Sequence, residues 1–356
     1  MIKFLHAADL HLDAPFASLS QEAAAAHRAE QRQLLSTLTE LCDRENCGLL
    51  LLAGDLLDSA SAYPETVACM KQAFSACRAQ IFLAPGNHDC LLPGSPYTDA
   101  WPENVHIFRK NEPEAVRLPD CTVWGAAFTD MDCRPLLENF RVSEPAVPNL
   151  MVLHGELRPG SVYNAITEAQ IAASGLDYLA LGHVHTYSGE RRAGKTAYAW
   201  PGCPMGHGFD ETGEKGCLIG ELDSSGCRLH FVPLPGRKYE ILRVRPGDDA
   251  LAAILAALPP DTSRDIYRII LEGEAAPVDL KMLEQELSPR FFGLTILDRT
   301  VPAADLWADC GSDTLRGIFL DLLRKRYDAS TDEEERRMLA LAARCGTAAL
   351  EGRDVL

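Results

Sequence analysis

Cysteine pairs at metal-knot spacing, long apolar runs and a basic surplus are all missing from this chain of 356 residues, and each absence removes a class of function. The 12 cysteines are scattered, none forms Cys-x-x-Cys, and many fall within apolar runs. They read as reduced, mostly buried thiols rather than a disulfide framework or a structural zinc knot. Cys90 and Cys203 lie beside motifs described below and are read as unreactive thiols. No segment reaches the roughly 18 to 20 apolar residues of a membrane span. The N-terminus runs straight into a strand-like segment without the pattern of a secretory signal, so the expected location is cytoplasmic, with no membrane partner. Internal repeats and low-complexity tracts are also absent. Lys and Arg number 34 against 51 Asp and Glu, a formal net charge of −17. Phosphate neutralisation supplies most non-specific affinity for nucleic acid, so this balance excludes a chain that draws in DNA by a general basic field.

Present instead are five short strings: Asp9-Leu-His11, Gly54-Asp55-Leu-Leu-Asp58, Gly86-Asn87-His88-Asp89, His154-Gly155 and Gly182-His183-Val-His185. Each follows an apolar run that reads as a buried strand: Ile2 to Ala8, Leu49 to Ala53, Ile81 to Ala84, Leu150 to Leu153 and Tyr178 to Leu181. The polar residues therefore fall at strand ends, where loops on a rigid sheet converge. Asp, His and Asn are hard oxygen and imidazole donors, suited to Mn²⁺, Fe²⁺, Zn²⁺ or Mg²⁺ in a catalytic site. Any one string could arise in a random chain of this length; five in order, each after a strand-like run, are a strong signal.

These strings, in their order and spelling, resemble the calcineurin-like metallophosphoesterase superfamily, and within it the DNA-repair exonucleases of the Mre11 and SbcD type, closest to the bacterial YhaO-like group. The start His6-Ala-Ala-Asp9-Leu-His11-Leu-Asp13-Ala-Pro-Phe16 and the later Pro201-Gly-Cys-Pro-Met-Gly206 with Asp210-Glu-Thr-Gly-Glu-Lys-Gly216 carry the subgroup likeness. It covers roughly the first two thirds of the chain, and the remainder matches in layout only. The resemblance implies two divalent metal ions, Mn²⁺ first with Fe²⁺, Zn²⁺ or Mg²⁺ as alternatives. Asp9, His11, Asp55 and His185 would hold one ion, and Asp55, Asn87, His154 and His183 the other, with Asp55 bridging. It further implies that His88 is the catalytic histidine, and the adjacent Asp89 is expected to orient it.

The remaining candidates are weighed against ordinary explanations. His6, His27, His106 and His230 read as core or surface groups, and His6, on the first strand, as a packed core residue. His207, in the glycine-rich stretch Gly202 to Gly216, is either a substrate-facing residue or part of a solvent turn. Asp13 and Asp58 are expected to support a ligand or cap a turn or helix rather than coordinate metal. Arg191, Arg192 and Lys195 could touch nucleic-acid phosphates, although a short basic turn is more often a solvated hairpin. Two departures from the family pattern bear on the substrate side: Cys203 replaces a more usual small polar residue, and His207 stands where a basic side chain is expected.

The expected organisation is a nuclease domain over residues 1–236, a small α/β capping domain over 237–302 and a helical, partner-binding C-terminal segment over 303–356. The first would close after a strand pair, Cys217 to Leu222 and Arg228 to Val232. In the last, Leu315, Ile318, Phe319, Leu322 and Leu323 recur at helical spacing, and Thr331-Asp-Glu-Glu334 reads as a capping box opening a final helix through Arg344. The order of strand, loop and helix supports an α/β class. A four-layer αββα sandwich follows from the resemblance, while a single doubly wound sheet stays open on periodicity alone. The implied function is a two-metal DNA nuclease working in repair with a Rad50/SbcC-like coiled-coil ATPase that presents the DNA, with a homodimer through the catalytic domain as in related nucleases. A stand-alone phosphoesterase acting on nucleotides or phosphoproteins fits the acidic composition, and a non-catalytic scaffold is the third reading.

Overall fold

Each strand that precedes a donor string is buried on both faces, which explains why these runs are almost continuously apolar instead of alternating. Along Leu49–Leu52, Leu49 and Leu51 face one apolar cluster while Leu50 and Leu52 face another. A computed structural model of the chain describes residues 1–247, 249–275, 278–302 and 306–350. Parts of the expected capping domain (248, 276, 277) and of the expected tail (303–305, 351–356) lie outside the described residues.

The chain opens with β1 (Ile2–Ala7), α1 (Gln21–Arg44), β2 (Leu49–Leu52), α2 (Pro64–Ala76), β3 (Gln80–Leu83) and β4 (Val105–Ile107). Next come β5 (Glu114–Arg117), β6 (Thr122–Gly125), β7 (Asn149–His154), α3 (Glu168–Ser174), β8 (Tyr178–Gly182), β9 (Arg191–Ala193) and β10 (Thr196–Ala199). The hairpin β11 (Gly216–Asp223) and β12 (Gly226–Pro233) follows, turning where Asp223 pairs with Gly226. The last part holds β13 (Tyr239–Val244), α4 (Ala250–Ala257), β14 (Ile266–Ala275), α5 (Leu280–Leu287), β15 (Gly293–Pro302), α6 (Leu315–Ala329) and α7 (Glu333–Leu350).

Two six-stranded sheets form, in the orders β12-β11-β1-β2-β3-β4 and β5-β6-β7-β8-β10-β9, and a three-stranded sheet has the order β13-β14-β15. In the first large sheet β1 to β4 run parallel, and β11 pairs antiparallel with both β1 and β12; in the second β6, β7, β8 and β10 are parallel. Phe4, Leu49, Leu51 and Phe82 of one sheet meet Val123, Leu150, Val152, Tyr178 and Ala180 of the other in the inner core. Leu34, Leu38 and Leu41 of α1 and Phe74 of α2 cover the outer face of the first sheet, and Ile171 of α3 packs on the outer face of the second. The result is the mixed α/β sandwich, two facing sheets with helices outside. Each fully buried Leu or Phe in these layers contributes about 1.5 to 3 kcal/mol.

One polar link crosses the inner core. His6, fully buried, has its Nδ1 2.8 Å from the Tyr178 hydroxyl, and burial pushes its imidazole down to about 3, so the ring is neutral.

Two compact units divide the chain. One comprises Met1–Leu242, Pro259–Ile269 and Glu284–Thr295; the other comprises Arg243–Leu258, Ile270–Leu283 and the chain from Ile296 onward. Within the first, Arg237 pairs with Glu30 (2.6 Å) and lies over the Phe292 ring. Within the second, α6 and α7 pack closely enough that a side chain at Gly346 would strike Phe319. The final helix starts later and ends later than expected. Asp332, not Thr331, accepts the Glu334 N–H (3.0 Å), and the helix runs to Leu350.

Candidate metal centre

The parallel strands β1, β2, β3, β7 and β8 end on the same side of their sheets, so the loops after them meet. The β1 and β2 loops run as a pair: Asp9 N–H donates to Gly54 O, His11 N–H to Asp55 O and Leu12 N–H to Leu56 O, at 2.8 to 3.0 Å. Four of the seven expected donors hold positive φ: Asp9 (56°), His11 (43°), Asp55 (50°) and His183 (97°). Each such conformation costs on the order of 1–3 kcal/mol and persists only where its surroundings over-determine it. Part of that constraint is visible, since both Asp9 carboxylate oxygens accept the His183 N–H (2.9 and 3.1 Å). Glycine is required close by. A Cβ at Gly86 would stand 2.2 Å from Asp55 Oδ1, and one at Gly182 would stand 1.9 Å from the Ala53 carbonyl.

The seven residues fall into two adjoining groups. In the first are Asp9, His11 and His185, with His11 Nε2 3.2 Å from His185 Nε2. The second joins Asp55, His154 and His183 with Asn87: His154 Nε2 lies 3.0 Å from Asn87 Oδ1, 3.2 Å from Asp55 Oδ2 and 3.3 Å from His183 Nδ1. Asp55 Oδ2 is also 3.9 Å from His11 Nε2, so it faces both groups. His154 Nδ1 donates to the Ala53 carbonyl (2.9 Å), which points Nε2 at the other donors. So many acceptors at contact distance repel one another unless a cation lies among them, and the hard oxygen and imidazole set fits divalent ions. Burial works against a charged His154, but the Asp55 carboxylate prevails and holds the ring up at about 9. Against its own burial, Asp55 is held well below the usual carboxylate range by His154 and His11. His183 is pushed down by burial and by the neighbouring His154 charge.

Carboxylates back the imidazoles of the first group. His11 Nδ1 lies 3.3 Å from Asp58 Oδ1, and His185 Nδ1 hydrogen-bonds Glu211 Oε1. Asp58 was legible beside the Gly-Asp string; Glu211 was not, because it lies 26 residues from its histidine and only the fold of the Gly202 to Gly216 stretch brings it back. Despite burial, hydrogen bonds from His185 and His207 hold Glu211 far below the ordinary range.

His88 is the one exposed histidine of the cluster. Its N–H donates to Asp55 Oδ1 (2.9 Å) and its Nδ1–H to the Asp58 carbonyl (2.9 Å), which turns Nε2 outward. The expected pairing with Asp89 is not found. The tight turn sends the two side chains opposite ways, and Asp89, fully buried, accepts the N–H groups of Asp55, Leu56, Leu57 and Gly86 and the Tyr97 hydroxyl (2.6 Å). Asp89 thus shapes the two loops that carry Asp55 and Asn87, and the Asp58 carbonyl orients His88.

His207 is tied inward: its backbone N–H donates to Glu211 Oε2 (2.8 Å), its Nδ1 lies 2.9 Å from the same oxygen and its Nε2 3.1 Å from the Leu10 carbonyl. Asp13 lies off the cluster, accepting from Thr66 Oγ1 (2.6 Å) and the Tyr63 N–H (3.1 Å) at the start of α2. The structure does not bring Arg191, Arg192 and Lys195 into the cluster. Lys195 pairs with Asp177 (2.8 Å), which precedes β8 and so stands at the end of the sheet away from the metal loops. Arg192 pairs with Glu190 and donates to the Cys227 carbonyl, and Arg191 leans on the Ser188 carbonyl (3.5 Å).

A family model of the calcineurin-like phosphoesterases matches residues 2–187. YhaO of Bacillus subtilis (strain 168), named as an uncharacterized metallophosphoesterase, is 32% identical over 313 residues, 82% of this chain and 73% of that protein. Among solved structures, a glutamine-dependent NAD+ synthetase from Acinetobacter baumannii in complex with adenosine diphosphate aligns with 99% of this chain and 73% of its own at 9% identity and a TM-score of 0.34, a likeness too low to carry any argument.

Proposed function

The chain belongs to the calcineurin-like phosphoesterases, metal-dependent hydrolases that bind two divalent ions, and on that premise we propose that it hydrolyses DNA phosphodiesters as the nuclease subunit of a repair complex. The observation that carries this reading is the convergence of seven donors from five loops around Asp55, with the exposed His88 at their edge. Asp9, His11, Asp55 and His185 would hold one ion and Asp55, Asn87, His154 and His183 the other, Mn²⁺ being the proposed metal. Ions held there supply Lewis-acid polarisation of a phosphoryl group and acidify water. His88 contributes the protein's own share. With Nδ1–H committed to the Asp58 carbonyl, Nε2 is the ring atom left to exchange a proton with a phosphoryl or departing oxygen.

The proposed partner is a Rad50/SbcC-like coiled-coil ATPase that presents the DNA. Supporting it are the apolar side chains that α6 and α7 leave in solvent: Leu315, Ile318 and Leu322 on one helix, Met338 and Leu341 on the other. The net charge of −17 favours a second reading, a stand-alone phosphoesterase acting on nucleotides or phosphoproteins, which would need no basic surface. The complete donor set weighs against a non-catalytic scaffold.

The test is hydrolysis of a labelled linear duplex and of a small phosphodiester with Mn²⁺, wild type beside His88→Ala. Cleavage of both by wild type and a 10²- to 10⁴-fold slower variant, roughly the range for general acid catalysis, is the expected result. Cleavage of the small diester alone, even with the ATPase added, would replace the nuclease reading by the stand-alone esterase.

A further inference from the structure

Glu211 makes four contacts with one carboxylate. Oε1 accepts from His185 Nδ1; Oε2 accepts from the His207 N–H (2.8 Å), from His207 Nδ1 (2.9 Å) and from the Cys203 thiol (3.3 Å). Its side chain is only 9% exposed, so this is no incidental surface pair. Two ligand-bearing loops meet at this group. His185 lies on the loop after β8, and His207 passes the link on to the Leu10 carbonyl, between Asp9 and His11 on the loop after β1.

We propose that Glu211 is the positioning residue of one half of the metal centre, fixing the His185 ring so that Nε2 faces Asp9 and His11, and locking the β8 loop to the β1 loop through His207. This rests on the reading that the cluster holds two divalent ions. The two halves are built differently. His154 is oriented by a backbone carbonyl, and His183 has only a distant carboxylate, Glu156 at 3.7 Å from Nε2. Both imidazoles of the Asp9 group are backed by side-chain carboxylates, Asp58 and Glu211, the arrangement that fixes the tautomer and raises ligand basicity. Removing Glu211 should therefore act on one ion and spare the other.

Glu211, Cys203 and His207 are also close enough to suggest a metal site of their own. The hydrogen bonds argue otherwise. His207 Nδ1 faces Glu211 and its Nε2 faces the Leu10 carbonyl, so both ring nitrogens are already engaged by protein oxygens. The Cys203 thiol lies against two acceptors, Glu211 Oε2 (3.3 Å) and the His185 carbonyl (3.5 Å). A glutamine at 211 keeps the shape but has one acceptor oxygen for these donors and turns two N–H groups toward them.

The experiment is Mn²⁺ binding to the full chain, with free Mn²⁺ read by electron paramagnetic resonance, for wild type and Glu211→Gln. Wild type is expected to bind two ions. The variant should hold one as wild type does and the other roughly 10- to 100-fold more weakly, with hydrolysis of a small diester recovering at high Mn²⁺. Two ions bound by the variant with wild-type affinities, or both weakened alike, would overturn the proposal. Fewer than two ions on wild type would instead overturn the reading beneath it. A second measurement does not depend on the variant folding. In wild type loaded with diamagnetic Zn²⁺, ¹⁵N-resolved NMR should find the His185 ring proton on Nδ1, and a proton on Nε2 would overturn the proposal outright.

Discussion

Side chains one position apart on a tight turn can serve separate tasks, as His88 and Asp89 do. His88 reaches solvent, while Asp89 collects four backbone N–H groups and the Tyr97 hydroxyl in a fully buried position. Asp89→Asn would replace one acceptor oxygen by a group that points hydrogens at donors. The expected cost is about 3 kcal/mol of stability in the metal-free protein, read by urea denaturation, because buried donors to a charged acceptor are left unmet. Metal binding should fail with it, since Asp55 N–H is one of those donors. A variant as stable as wild type that loses only turnover would restore Asp89 to the role of a partner for His88. The same residues mark what the sequence could reveal. The five polar strings were readable because each follows an apolar run, and a run buried on both faces fixes where its strand ends; which seven of their residues would be donors came from the family resemblance. Which way a turn residue points, and that Glu211 returns across 26 residues to His185, depends on contacts that no spacing encodes.

At the scale of elements, the periodicity in α6 shows a helix without showing what its apolar stripe meets. Leu315, Ile318, Phe319, Leu322 and Leu323 form one stripe in sequence, yet Phe319 packs near Gly346 of α7 while Leu315, Ile318 and Leu322 stand more than half exposed. The apolar set is wider than a single face, so α7 covers only part of it. Replacing Leu322 (62% exposed) and Leu341 (59%) together by Asp removes little buried area, and the melting temperature should stay within about 2 °C of wild type. Co-elution with the proposed coiled-coil ATPase should be lost. A large fall in melting temperature would mean that the face is core, and unchanged co-elution would remove these helices from the proposed contact. The sheets were easier to read: the strand runs gave the α/β class, but that the strands form two facing sheets is settled by pairings such as Tyr178 with Leu150 and Phe4 with Leu49, which periodicity cannot supply.

For the whole molecule the charge decides how DNA would be reached if the proposed nuclease reading holds. Two divalent ions would offset only four of the seventeen net negative charges, so a bare duplex meets a repulsive field at long range. Cations drawn to a basic groove would be released on binding, and such a nuclease loses affinity steeply as salt rises. Here the sign should reverse. Between about 10 and 100 mM salt the screening length falls from roughly 30 to 10 Å. Repulsion between chain and duplex weakens accordingly, so kcat/KM on a linear duplex should rise several-fold while kcat/KM on a small diester stays nearly flat. Adding the proposed ATPase partner should turn the duplex profile downward, because that partner would then supply the phosphate contacts. The measurement is initial rates for both substrates across that salt range, with and without the partner. A duplex rate that falls with salt for the chain alone would show that a local basic surface grips the DNA, and the partner would then be needed for something other than holding the substrate.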